Sequence, residues 1–64
     1  LHVDNGTRNI NEISIYETSG KGIKRIFPLK NQYALFIDYL PKGIYFLKII
    51  SSDNTYCVKK IVKN

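Results

Sequence analysis

This chain has few of the residues that staple a small fold from outside its core. There is one cysteine, Cys57, in 64 residues, so no intrachain disulfide can close. There is one histidine, His2, which removes every zinc site built from several Cys and His ligands. Methionine and tryptophan are absent, and there are only two prolines and four glycines. Acidic side chains are also scarce, five against ten Lys and Arg, for a formal charge of +5. Apolar runs such as Gly43 to Leu47 fall far short of a membrane span, so no membrane insertion is expected. No basic stretch leads into an apolar one, the pattern of a secretory leader. A chain of this size buries only ~60% of its unfolded surface, and apolar burial then barely exceeds chain entropy. Either the core is unusually efficient, or residues 1–64 are a piece of a longer precursor. The opening Leu1-His2-Val3-Asp4 favours the second expectation.

The chain is rich in β-branched and aromatic residues, cut into short runs by turn formers. Leu1 to Val3, Ile10 to Glu17, Ile23 to Phe27, Tyr33 to Ile37, Ile44 to Ile50 and Thr55 to Val62 read as strands. Between them lie Asp4-Asn5-Gly6-Thr7, Thr18-Ser19-Gly20-Lys21-Gly22, Lys30-Asn31-Gln32, Asp38 to Gly43 and Ser51-Ser52-Asp53-Asn54. Pro28 ends the third run. No stretch carries a helical period, so one all-β domain over residues 1–64 is expected, a sandwich or an open barrel. In the fifth run Tyr45, Leu47 and Ile49 share one face, while Ile44, Phe46, Lys48 and Ile50 share the other. Both faces are largely apolar, which places that strand inside a sheet. In the sixth run neither face is clean, so alternation alone cannot choose its register.

Candidate chemistry is sparse. His2 has no nucleophile or metal partner near it in sequence. Cys57 lies in a strand, with no base to activate it, and is expected to be a small buried hydrophobe. Asp38 and Asp53 sit in turns, where an aspartate accepts backbone hydrogen bonds. Glu12 and Glu17 bracket a strand and are expected to be solvated. Gly20-Lys21-Gly22 lacks the glycine spacing and the Ser or Thr of a phosphate loop. Asn5-Gly6-Thr7 fits a glycosylation sequon but reads first as a turn. The lysines and tyrosines could line a single-strand groove, yet ribonucleoprotein-type aromatic motifs are missing, so no nucleic-acid partner is expected. Five tyrosines without tryptophan make a thin case for a sugar platform. No catalytic residue, metal or cofactor is expected.

The block Leu40-Pro41-Lys42-Gly43-Ile44-Tyr45-Phe46-Leu47-Lys48-Ile49, a hairpin, and Lys60-Ile61-Val62-Lys63-Asn64 after it resemble a C-terminal sorting domain, type A, of proteins exported by the bacterial type IX secretion system. The strand Ile13 to Glu17 leading to Gly20-Lys21 is similar to the same family's strand and Gly-Lys turn. The resemblance spans the chain; the family's opening Pro-Asn-Pro element is not among these residues. It implies a small Ig-like antiparallel β-sandwich, here short of its first strand. It implies a non-catalytic secretion signal, recognised by the type IX outer-membrane translocon and removed by a surface protease during export or surface attachment. The partners are then that machinery and an upstream cargo domain. The location is the cell surface or the medium, reached through the periplasm.

On that resemblance Gly20, Lys21, Leu40, Gly43, Ile44 and Tyr45 define the fold, and Lys59, Lys60, Ile61, Val62, Lys63 and Asn64 form the signal. Gly43 would allow the turn before the strand, and Tyr45 would anchor the strand in the core. The lysines at the end would present charge and unpaired backbone to a receptor, with strand addition as one mode. The competing reading is an accessory β-sandwich that packs against, or binds carbohydrate for, a neighbouring extracellular enzyme domain.

Overall fold

The structure, a computed structural model, describes residues 1–64. Six strands form in chain order: β1 (His2–Asp4), β2 (Ile10–Glu17), β3 (Gly22–Ile26), β4 (Gln32–Ala34), β5 (Gly43–Ser51) and β6 (Tyr56–Lys63). They make two antiparallel sheets. One pairs β1 with β4; the other has the order β3-β2-β5-β6. Val3 from the small sheet and Leu35 just beyond it join Ile10, Ile13, Ile15, Tyr45, Leu47 and Ile49 from the large sheet in one core, with Leu40 beside them. This arrangement is consistent with a β-sandwich in which two short strands lie over four. The shortest dimension, 15 Å, suits two layers spaced about 10 Å apart.

Period-two alternation explains the core. Ile13 pairs with Ile49 and Ile15 with Leu47, so four branched side chains meet on the covered face. Ile10, Ile13, Ile15 and Leu47 are fully buried. Burial of each such side chain contributes roughly 1.5–3 kcal/mol. β5 lies between β2 and β6, as its two apolar faces imply. The predicted limits of the second, fifth and sixth strands agree with the structure to within a residue.

The turns follow their residues. Asp4 Oδ1 accepts from Gly6 N at 2.9 Å, the local bond that makes aspartate a turn former. Gly20 sits at φ +90°, a region open mainly to glycine, and its N–H donates to the Glu17 carbonyl at 2.9 Å.

Four expectations need correction. The fourth strand is shorter than Tyr33 to Ile37: it spans Gln32–Ala34, and a turn closed by Leu40 N on the Ile37 carbonyl at 3.0 Å draws the chain away. Cys57 is exposed, not buried, because β6 is an edge strand beyond the cover of the small sheet. Glu12 and Glu17 are half-buried rather than solvated, Glu12 accepting from Ser14 Oγ at 2.8 Å and facing Arg25 at 3.5 Å. Asp53 does accept turn hydrogen bonds, but Asp38 takes part through its backbone carbonyl, which accepts from Lys63.

Candidate functional site

The strand registers bring three distant segments to one end of the large sheet. Glu17 pairs with Tyr45, and Tyr45 with Ile61. The end of β2, the start of β5 and the end of β6 therefore coincide. The Gly20-Lys21 turn, the Leu40 to Tyr45 block and the Ile61 to Asn64 tail share that end.

Within the block Leu40, Gly43 and Tyr45 each have a physical task. Leu40 is buried against the core. The Tyr45 hydroxyl reaches back and donates to the Pro41 carbonyl at 2.6 Å. Such a bond contributes about 1 kcal/mol, and it fixes the loop that leads into β5. Gly43 lies at φ +154°, and a Cβ there would stand 3.9 Å from the Tyr45 ring. Its demand for glycine thus comes from the backbone angle rather than from crowding. Ile44 begins the outward face of β5 and is exposed.

The tail is fastened to this block. The Lys63 ammonium donates to the carbonyls of Ile37 at 3.1 Å, Asp38 at 3.3 Å and Leu40 at 3.2 Å. An ammonium has three donors, and all three are engaged. Lys63 therefore holds the loop, rather than presenting its charge freely. Lys59 and Lys60 are exposed, as are Val62 and Asn64, while Ile61 packs partly against the core. Lys21 is exposed at the turn beside them.

Beside β6, on the side facing β1, a cleft of about 160 Å³ opens between the sheets, with Val3, Leu47, Ile49 and Ile61 in its lining and Lys59 and Lys60 beside them. No group of three or more His, Cys, Asp or Glu side chains converges to hold a metal ion. The one strongly shifted carboxyl, Asp53, lies in the β5–β6 hairpin at the opposite end of the sheet. Its cluster with Thr55 and Arg8 shapes that turn. The sequence reading missed the Arg8 partnership, because 45 residues separate the pair.

The family itself is given by a comparison of the whole chain. A family model described as the secretion system C-terminal sorting domain matches residues 1–64. The chain belongs to that family. Comparison with curated proteins and with solved structures gave no match. A sorting domain is a non-catalytic secretion signal, and this one has that role. The Gly-Lys turn, the Leu40 to Tyr45 block and the tail share one end of its large sheet.

Proposed function

We propose that this sorting domain is the address read by the type IX outer-membrane translocon, with Lys59 to Asn64 as the contacted segment. The match of the family model to the whole of residues 1–64 carries this reading. The geometry supports it: β6 is an edge strand with Lys59 and Lys60 exposed, and Lys63 and Ile61 hold its end against the fold. In this reading Gly20, Lys21, Leu40, Gly43, Ile44 and Tyr45 build the platform that positions the tail. The cargo is an upstream domain of the same precursor, delivered through the periplasm to the surface or the medium. A surface protease then removes the signal. The Ig-like form implied by the resemblance belongs to the same reading, with a further strand completing the smaller sheet.

Deletion of Lys60 to Asn64 from the precursor is expected to retain the cargo inside the cell, measured by fractionation. That deletion also removes Ile61 and Lys63 from the fold. It is therefore paired with the double charge reversal Lys59→Glu and Lys60→Glu, which leaves the β5–β6 ladder in place. Normal surface delivery of both variants would sink the proposal. An accessory module would instead show normal export with lower enzyme stability or weaker glycan binding.

A further inference from the structure

The outer edge of β6 combines free backbone, exposed apolar surface and one sign of charge. Ser51 N donates to the Thr55 carbonyl at 2.8 Å at the mouth of the β5–β6 hairpin. Counting by twos from Thr55, the odd residues of β6 turn their backbone groups toward β5. Tyr56, Val58, Lys60 and Val62 therefore direct their N–H and C=O groups to the open edge. The apolar members of this set are also exposed on their side chains: Tyr56 64%, Val58 55% and Val62 57%. They share a face with Ile44, Phe46 and Ile50 of β5, to which the register pairs Val62, Lys60 and Tyr56. Lys48, opposite Val58, lies among them with its ammonium 4.8 Å from the Tyr56 ring centroid, so the edge opens onto an apolar strip interrupted by one lysine.

The other edges offer less. β3, at the far side of the same sheet, has five residues, a register shift at Ile15/Tyr16 in its partner, and Pro28 just beyond it. β1 has only three residues. β6 has eight, without proline or glycine. Long unpaired edges recruit other strands unless guarded.

The lysines guard this edge against a second copy of the chain. Antiparallel self-pairing about a two-fold axis keeps like faces together, so residue numbers across it sum to an even value. The two registers that overlap most of Tyr56–Lys63 centre on Lys59 or on Lys60. Either sets a lysine directly against its own copy, and like charges directly opposite one another destabilise a ladder. A strand alternating apolar and acidic residues in the same place sets its apolar side chains beside Tyr56, Val58 and Val62 and all its carboxylates on the opposite face, with Lys59.

We infer that the open edge of β6 is a docking site for an extended partner strand that alternates apolar and acidic residues, added to the sheet through Tyr56, Val58, Lys60 and Val62. This deepens the address reading by naming the chemistry of the receptor segment, and it rests on that reading only for whose strand it is.

The test uses the purified chain and a short synthetic peptide alternating valine and glutamate, with a valine–lysine peptide as its counterpart. Saturable binding of the acidic peptide is expected, with amide shift changes and slowed hydrogen exchange at Tyr56, Val58, Lys60 and Val62. Lys59→Glu with Lys60→Glu should weaken it about tenfold, and added salt should weaken it further. Val58→Pro removes one outward N–H without touching the β5 ladder and should abolish binding. Absence of binding, equal binding of the basic peptide, changes centred on β3, or a wild-type dimer paired through β6 would each overturn the inference. If the acidic peptide fails to bind while charge reversal still blocks export, the docking chemistry is wrong and the address reading stands. If the peptide binds while export is normal, the edge is a docking site and the address reading fails.

Discussion

Thr55 donates to Asp53 Oδ1 twice, through its hydroxyl at 2.6 Å and its backbone N–H at 3.1 Å, and Arg8 faces Oδ2 at 3.1 Å. These bonds, the Thr55 hydroxyl first, lower the Asp53 carboxyl from an ordinary 3.8 to about 2. The folded state therefore favours the carboxylate. Its stabilising contribution is complete above 3.8 and is lost as pH falls through about 2. Thr55→Val removes the shortest bond, and the Asp53 titration followed by carboxyl NMR should move back toward 3.8. An unmoved titration would show that the hydroxyl is not the cause. Leu29 illustrates the opposite case, a residue overruled by its surroundings. It sits at φ +57° although it is not glycine, at a cost of roughly 1–2 kcal/mol. Its N–H donates to the Ile10 carbonyl at 2.9 Å, and Ile10 N returns a bond to Lys30 at 2.8 Å, so the loop is closed around it.

At the scale of elements, β5 and β6 differ although both look apolar in sequence. β5 has partners on both sides and a buried face of Tyr45, Leu47 and Ile49; β6 is partnered on one side. Leu47→Ala should cost ~2–5 kcal/mol in urea unfolding, whereas Val58→Ala should stay within about 0.5 kcal/mol. Equal losses would contradict the edge position of β6. The strands themselves were legible because Ile13 and Ile15, and Tyr45, Leu47 and Ile49, repeat with period two. Clear too was the interior place of β5, from its two apolar faces. The state of Cys57 was not, since it depends on how far the small sheet extends rather than on its neighbours in sequence. Nor was the task of Lys63, whose carbonyl partners lie 23 to 26 residues upstream. Leu40, Gly43 and Tyr45 were legible as a set through the family resemblance; the bond from Tyr45 to Pro41 that explains their spacing needed coordinates.

For the whole molecule, the imbalance of the sheets sets where stability lies. β2 and β5 are each flanked by two strands, while β1 and β4 have only each other. Hydrogen exchange should find the amides of β2 and β5 slowest, with those of β1 and β4 opening locally at lower free energy. Uniform exchange across both sheets would show a single cooperative unit instead. Sixty-four residues with a single cysteine leave little stability in reserve, so loss of the small sheet would expose Leu47 and Ile49 to water. The grip of Lys63 on the Ile37, Asp38 and Leu40 carbonyls bears on the other side of the molecule. It fastens the tail to the fold at Lys63. On the proposed reading, a receptor meets a strand already held in the sheet, and the ordering entropy of about 1–2 kcal/mol per residue falls within the folding of the domain rather than on the encounter. On that same reading, recognition selects for domains that have folded, and a cargo whose signal is still unfolded presents no such strand.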